Sequence, residues 1–488
     1  MTILHRIPDV GRITSERQIL EHAAAGLRSF ETDVRLVNKE RRDKNVAGEQ
    51  RLGLFRGHTE RKAVIGDVDL LGRFHSQDLE VPSFLEAGPR AVLRHDPQSV
   101  RAAIVTTGGL APGLHCVIHS IVKRHFETYK IAGGKIFGVY DSFRGLCSLA
   151  DNLVELNPIM TEDWLDQGGS QLGSVRYYHN DRSDPESISE MVTIINKNLR
   201  HNLINILYVI GGDGSMKVAH QIAAKNQKCS LVGIPKTMDN DILWVWQSFG
   251  FATAVEWATQ VINTLHCEAE STRRIGLIEL FGAETGFVAA NATLASGHVD
   301  LVLIPEVFTL LDENPAQNYL NDVVTHLKRK VRNEPHNPHG VVVVAEGVGT
   351  VLHEKGVSIN GVKVSKDGFI SQLATLIEGH VRDAHGRDVP VFMNLPRHYV
   401  RSFAANAQDH IFCERLGALA VDNALAGYTD FMISQWLTEF VLVPLELVQF
   451  GKKSIPVNGM FWKQVVSTTG QPLSPAEFPQ PSDIERVS

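Results

Sequence analysis

The sequence predicts an α/β protein built from two doubly wound domains with mostly parallel sheets, preceded by an N-terminal extension and followed by a C-terminal tail. Three observations carry that expectation. From Arg101 onward short β-rich runs alternate with helical stretches, the rhythm of strands joined by crossover helices. Those runs hold almost no polar residues, as strands covered by helices on both faces should. At 488 residues the chain also exceeds what one hydrophobic core usually serves. The expected boundaries are an extension over 1–99, a first Rossmann-like domain over 100–250 to which about 402–440 returns, a second over 251–401, and a tail over 441–488.

Taken in order, residues 15 to 30 read as a helix, and 31 to 62 are dense in charge, with Lys39-Glu40-Arg41-Arg42-Asp43-Lys44 expected on a solvated face. The strands expected next are Ala102 to Thr106, Ile136 to Tyr140, Ile206 to Ile210, Leu231 to Ile234, Ile275 to Leu280, Leu301 to Ile304 and Val341 to Ala345. After the first of them Val117, Ile118, Ile121 and Val122 recur at helical spacing. Lys452-Lys453-Ser454-Ile455-Pro456 and the proline-rich stretch Pro472 to Pro481 mark a tail with little core of its own.

Composition excludes several functions. A net charge of -7 gives no basic footprint for nucleic acid. With 43% hydrophobic and 21% charged residues the chain is an ordinary globular one. No apolar run reaches the roughly 18 residues of a membrane span, and Met1-Thr2-Ile3-Leu4-His5-Arg6 is no secretory signal. Arg486-Val487-Ser488 is no Ser-Lys-Leu address. The expected location is cytoplasmic. Cys116, Cys147, Cys229, Cys267 and Cys413 show neither CxxC nor zinc spacing, and are expected as buried thiols in a reducing compartment.

The chemistry gathers where strands end. Gly211-Gly212-Asp213-Gly214-Ser215 follows the apolar run Ile206 to Ile210, and Pro235-Lys236-Thr237-Met238-Asp239-Asn240-Asp241 follows Leu231 to Ile234. In open α/β sheets ligands bind outside the carboxyl ends of the strands, so both turns should face one crevice. The glycines allow backbone amides to approach phosphate, and Asp213 can hold Mg²⁺. A lone Asp there would most often cap a helix; the glycines around it and the neighbouring Asp239 and Asp241 favour the metal role. Those two are two residues apart, so an extended segment would set them on one face, one accepting the proton of an attacking hydroxyl and the other tuning it or helping to hold the metal. An Asx-type turn around Asn240 would explain one of them but not the cluster.

Thr106-Thr107-Gly108-Gly109-Leu110-Ala111-Pro112-Gly113-Leu114 follows the first strand and opens a helix, a second place where amides and the helix dipole favour phosphate. A third glycine-rich stretch, Gly168 to Val175, ends at Arg176, whose guanidinium suits phosphate oxygens. Glu346 ends the apolar strand Val341 to Ala345 and suits sugar hydroxyls. Arg273, Arg274, Arg397, His398 and Arg401 are cations for a phosphate, although each alone would more often be a surface or salt-bridge residue.

These motifs, in this order, resemble the ATP- or pyrophosphate-dependent 6-phosphofructokinase family over roughly residues 84 to 475, and within it the long-chain group of plants, trypanosomatids and some bacteria. Ala87-Gly88-Pro89-Arg90 with Val100 to Leu114 is similar to that group's opening segment, and Gly211 to Ser215 and Pro235 to Asp241 match the family's two signatures. The resemblance implies that 100–250 binds nucleotide and 251–401 sugar phosphate. It places Gly108, Arg176, Gly212, Asp213, Gly214 and Ser215 at the nucleotide phosphates, with Asp213 on Mg²⁺. It makes Asp239 the general base toward the sugar 1-hydroxyl, with Lys236, Thr237 and Asp241 beside it. It puts Phe281, Gly282 and Glu346 on the sugar, and Arg274, His398 and Arg401 on its 6-phosphate, Arg274 reaching in from a neighbouring subunit. A homo-oligomer with shared active sites, by default a tetramer and otherwise a dimer, follows.

Pyrophosphate-using relatives typically carry aspartate at the fourth position of the GGDG run, where its charge opposes an ATP α-phosphate. Gly214 leaves that space open, so ATP is the expected donor, although Lys236 is shared with pyrophosphate users. The departures are Phe281-Gly282-Ala283 where the family usually has Met-Gly-Arg, His115 in place of an asparagine, and a second cross-subunit arginine for which Arg387 and Arg397 are the candidates. The family arginine helps to bind the transferring phosphate, and Lys236 is the residue to supply part of the missing charge. Phosphorylation of fructose 6-phosphate is therefore the leading expectation. The alternatives are a kinase of the same fold using another phosphosugar or pyrophosphate, to which Phe281, Ala283 and His115 around the sugar and phosphate point, and a weakened paralogue that senses nucleotide or sugar phosphate.

Overall fold

The computed structural model describes residues 14–25, 32–51, 55–131, 136–175 and 185–475. The chain divides into two compact units, one of Met1–Thr237, Ile242–Gly250 and Arg401–Lys453, the other of Met238–Asp241, Phe251–Val400 and Ser454–Ser488. Each is α/β, as the alternation of apolar runs and helical stretches requires.

The first unit is organised on a nine-stranded sheet among the described residues, in the order Arg61–Ala63, Ser83–Glu86, Glu439–Pro444, Phe431–Trp436, Ser230–Pro235, Ile206–Gly211, Ala102–Thr106, Ile136–Val139, Leu153–Glu155. The central strands, Phe431–Trp436 through Ile136–Val139, run parallel, and the outer ones antiparallel. Every residue of Ala102–Thr106, Ile206–Gly211 and Ser230–Pro235 is buried, which explains their continuous rather than alternating apolar pattern. Helix Leu114–Lys123 packs against Ala407–Leu425, and Asp213–Ala224 against Ser230–Pro235.

The extension is part of this core. Ile19, Leu20 and Ala24 of helix Glu16–Ala25 are buried, Phe74 and Phe84 are fully so, and Phe84 meets Trp244 edge-on at 5.6 Å. Residues 26–30 of the expected first helix lie outside the described residues. Residues Lys39 to Lys44 are exposed, with Asp43–Lys44 paired to Val92–Leu93.

The second unit holds a parallel four-stranded sheet among the described residues, Leu301–Leu303, Gly340–Ala345, Ile275–Leu280 and Val391–Asn394 in that order. Helix Phe251–Thr272 buries Phe251, Ala254, Ala258, Ile262, Leu265 and Ala269, the stripe expected of a 3.6-residue period. Residues 441–475 are shared between the units: Glu439–Pro444 is a strand of the first, whereas helix Met460–Thr469 buries Trp462, Val465 and Val466 in the second. There the Gln471 side chain accepts from Val302 N–H at 2.8 Å and donates to its carbonyl at 3.1 Å. The rest of the proline-rich end, from residue 476, lies outside the described residues.

One expectation about the cysteines is corrected. All five are free, but only Cys116, Cys229 and Cys413 are buried; Cys147 is half-buried and Cys267 exposed. Cys267 falls off the buried stripe of helix Phe251–Thr272. No helix of the described residues is long and apolar enough to cross a membrane.

Candidate active site

In the first unit three adjacent parallel strands end side by side. Thr107 N–H donates to Ile210 O at 2.9 Å and Lys236 N–H to Gly211 O at 2.9 Å, so the segments after Thr106, Gly211 and Pro235 follow one edge of the sheet. A side chain on Gly211 would place its Cβ 2.6 Å from Thr107 Cγ2 and 2.5 Å from Ser215 Cβ; only glycine lets these turns approach. Gly108 takes φ +87°. Lys236 is buried, and its Nζ donates to the Gly109 carbonyl, which sets an ammonium at the first glycine turn. Thr237 is half-buried, its carbonyl accepting from Ser248 Oγ at 2.5 Å.

Helix Asp213–Ala224 starts at this edge, with Gly212 as its N-cap, a residue without a side chain to bond the first amides. Asp213, Gly214 and Ser215 thus occupy a first turn that favours anions by its dipole and its amides. The Asp213 carboxylate is flanked by Lys452 Nζ at 3.6 Å and Lys217 Nζ at 3.9 Å. Lys217 stands one turn along the same helix, a spacing that sequence shows. Lys452 comes from the segment read as the start of the tail, and no local pattern points to it. A Cβ on Gly214 would meet nothing within 4 Å.

The Gly168–Val175 stretch borders the Gly108 turn. Gly108 N–H donates to Val175 O at 3.2 Å, and Ser174 Oγ donates to Gly108 O at 3.1 Å. Gly168 packs so closely on the Ser402 carbonyl that a Cβ would fall 1.7 Å from its oxygen. Arg176, expected on phosphate, lies outside the described residues.

His115, expected around the sugar and the transferring phosphate, is bonded to this loop. It is buried, Nε2 accepts from Gln171 N–H at 3.0 Å, and Nδ1 stands 2.9 Å from Gln167 O. These partners require the neutral ring with its proton on Nδ1. Burial lowers its pKa, against the backbone carbonyls of Gln167 and Trp164. Both nitrogens are spent on holding the Gly168–Gly173 stretch, so the imidazole is a brace.

In the second unit Ile275–Leu280 and Gly340–Ala345 end in register, Leu280 beside Ala345. Glu346 N–H donates to Leu280 O at 3.0 Å and Gly347 N–H to Gly282 O at 2.9 Å. The turn after Leu280 is tight: Gly282 takes φ +139°, and a Cβ on Gly347 would lie 2.2 Å from Ala283 O. Phe281 is buried, Glu346 half-buried, and Ala283 and Glu284 are exposed. Thr285 Oγ1 donates to the Asp239 carbonyl at 2.9 Å, so the turn anchors the backbone of Asp239.

Asp239 and Asp241 do not share a face as an extended segment would have it. Asn240 between them takes φ +52°, which breaks the alternation and leaves Asp239 half-buried and Asp241 buried. Arg274 is exposed and precedes strand Ile275–Leu280, whereas Phe281 and Gly282 follow it. Six residues of strand span about 20 Å, so this chain does not bring Arg274 to its own Glu346. Helix Arg397–Arg401 carries His398 and the half-buried Arg401; the side chains of Arg397 and His398 lie outside the described residues. Arg387, the other candidate for a second cross-subunit cation, is engaged by Asp383 at 2.7 Å.

Among the described residues no group of three or more His, Cys, Asp or Glu side chains gathers as a metal site. Mg²⁺ in nucleotide sites takes one or two carboxylates and fills its shell with phosphate oxygens and water, and Asp213 fits that pattern as a single hard ligand. A cavity lined by Asn38, Arg41, Arg94, His95, Asp96 and Asn205 holds none of these groups. Its Arg94 is spent on the carbonyls of Asn38, Lys39 and Arg41.

Comparison with known proteins bears on what such an edge does. A family model described as Phosphofructokinase matches residues 101–424. The chain is 36% identical over 406 residues to the ATP-dependent 6-phosphofructokinase of Borreliella burgdorferi, covering 80% of this chain and 85% of that protein. It is 35% identical to that of Amycolatopsis methanolica, covering 86% and 89%, and 32% identical to ATP-dependent 6-phosphofructokinase 7 of Arabidopsis thaliana, covering 80% and 77%. Among solved structures, a pyrophosphate-dependent phosphofructokinase from Marinobacter aquaeolei superposes with TM-score 0.58 at 18% identity, covering 78% of this chain and 93% of that one. A Pichia pastoris phosphofructokinase gives TM-score 0.56 at 21% identity, covering 72% and 35%.

Proposed function

The chain belongs to the phosphofructokinase family, and on that premise we propose that it transfers the terminal phosphoryl group of ATP to the 1-hydroxyl of fructose 6-phosphate, giving the bisphosphate. The enzyme class, a phosphotransferase with an alcohol group as acceptor, follows from membership. The observation that carries the finer reading is the side-by-side ending of three strands on Gly108–Gly109, Gly212–Ser215 and Lys236, with the Lys236 ammonium on the glycine turn. Phosphoryl transfer asks little covalent chemistry of a protein and much positioning and charge stabilisation, and this edge is built of amides and cations.

In this reading the amides of the Gly108 turn and of the first turn after Gly212 hold the donor phosphates, with Arg176 beside them. Asp213 holds Mg²⁺, which when bound neutralises phosphate charge. Lys236 supplies part of the positive charge that the family's arginine would bring where Ala283 stands. Asp239 takes the proton from the 1-hydroxyl, with Thr237 and Asp241 as its neighbours in the chain. Phe281, Gly282 and Glu346 shape the sugar subsite, and His398 and Arg401 hold the 6-phosphate. Arg274, at the far end of its strand, serves a neighbouring copy, so the working enzyme is a homo-oligomer.

The exposed Ala283 favours a second reading, in which the same chemistry acts on another phosphosugar. A coupled assay with Mg²⁺ separates the two by scanning ATP and pyrophosphate against fructose 6-phosphate and other sugar phosphates. Asp239→Asn should lower kcat by about 10²- to 10⁴-fold, the span usual for a general base, with KM changed by no more than a few-fold. An unchanged kcat overturns the mechanism.

A further inference from the structure

We propose that Glu306 is a positioning residue for the reaction: its buried carboxylate holds the turn that ends at Gly286, and through Thr285 that turn fixes the backbone of Asp239. This rests on Asp239 being the base, as proposed above.

Glu306 is second in the short helix Pro305–Thr309 after strand Leu301–Leu303 and is 7% exposed. Its Oε1 accepts from Gly286 N–H at 2.9 Å and from Ile455 N–H at 3.1 Å, and its Oε2 from the same Gly286 N–H at 3.0 Å. These partners are backbone amides rather than a cation. Gly286 is the N-cap of helix Phe287–Ser296 and has no side chain of its own, and Glu306 holds the N–H of that cap residue from elsewhere in the chain. A Cβ on Gly286 would lie 2.2 Å from Ile304 Cγ2 and 3.2 Å from Glu306 Oε2; glycine is what lets the carboxylate reach the amide.

The next residue back is Thr285, also buried, whose hydroxyl donates to the Asp239 carbonyl. Glu306, Gly286, Thr285 and Asp239 therefore form one connected path inside the second unit. A carboxylate taken out of water without a cation is costly, and apolar or amide side chains would fill the position at less cost. An acceptor able to bond the turn with both oxygens is what the carboxylate adds.

The electrostatics agree. Burial pushes Glu306 up to about 7, against the amides of Gly286, Ile455 and Glu306 itself, and no charged side chain is among the causes. Protonation would put a hydrogen on one of the two oxygens that face these amides and loosen the turn. Turnover should therefore decline as pH falls through about 7.

The test measures kcat and both KM values from pH 5.5 to 9 for the full-length chain and for Glu306→Gln, Thr285→Val and Asp239→Asn, with thermal melts alongside. Glu306→Gln, which cannot ionise, should lose about 10- to 100-fold in kcat at pH 8, the scale of a small misplacement at a reacting centre. Its ATP KM should stay within about twofold, and the decline near pH 7 should vanish. Thr285→Val should lower kcat while keeping that decline, and it carries the test if Glu306→Gln does not fold. A Glu306→Gln profile that matches wild type, or a loss of activity that follows melting temperature with the acid decline intact, overturns the inference. So does a wild-type kcat for Thr285→Val. If Asp239→Asn itself keeps turnover, the base assignment fails first; if it loses turnover while the other variants do not, only the role of Glu306 falls.

Discussion

Replacing Gly214 by aspartate tests the donor assignment with little risk to the fold. Gly214 is exposed and second in helix Asp213–Ala224, its φ is not in the left-handed region, and a Cβ there would meet nothing within 4 Å. The helix should tolerate or welcome the change: losing a helical glycine is worth at most about 0.5–1 kcal/mol, the value for a helix interior, and an acid in the first turn about 0.3–1 kcal/mol. The new carboxylate would instead act on the ligand. Two unit charges about 6 Å apart repel by roughly 3 kcal/mol at an effective dielectric constant of about 20, and by about 0.7 kcal/mol in bulk water. Because Gly214 is exposed the answer lies between these limits, roughly a 3- to 100-fold loss in kcat/KM for ATP. The assay is steady-state kinetics with ATP and with pyrophosphate at several salt concentrations, with a melt to confirm folding. A charge effect should shrink as salt rises, and pyrophosphate, which has no α-phosphate carrying a nucleoside, should be affected less. Unchanged kcat/KM for ATP in a folded variant would refute the reasoning that the space at Gly214 is what admits the nucleotide.

Lys236→Met keeps the length of a buried side chain and removes its charge at the Gly109 carbonyl. A fall in kcat of about 10²- to 10³-fold is expected, the scale for losing one electrostatic stabiliser, measured with saturating ATP and sugar phosphate; a change under threefold would return the missing charge to some other group. His115 should make stability pH-dependent on the acid side. Its folded pKa is depressed by burial, so the unfolded chain binds the proton more readily; the neutral brace contributes fully above the unfolded value of about 6.5 and is lost as pH falls below it. Melts at pH 5.5 and 7.5 should show a smaller acid-side loss for His115→Phe than for wild type. That variant should also cost about 1–3 kcal/mol through the freed Gln167 and Gln171 backbone groups and raise KM for ATP through the loop beside Gly108; equal acid sensitivity in both proteins would assign the titration to another group.

What the sequence made legible was local. A buried parallel strand is a short apolar run, and the turn at its carboxyl end carries glycine and charge, so Ile206–Gly211 with Asp213 and Ser230–Pro235 with Lys236 could be found without knowing what lay beside them. What escaped depends on pairs distant in the chain. Lys452 reaches Asp213 from a stretch whose composition suggested only a tail. Glu306 sits in an ordinary Pro-Glu step and acquires its meaning from Gly286 and Ile455. Strands Phe431–Trp436 and Glu439–Pro444 carry Gln435, Trp436 and Glu439, half-buried at the hairpin end, and the two-residue turn between them mixed polar with apolar residues until neither period stood out. His115 shows the converse: its difference from a family pattern was legible, but not that its two ring nitrogens answer to a Gln167 carbonyl and a Gln171 amide in a neighbouring loop. A substitution near a site is evidence about the pocket only once its polar atoms have been accounted for, and Ala283, exposed and without a polar side chain, leaves none to account for.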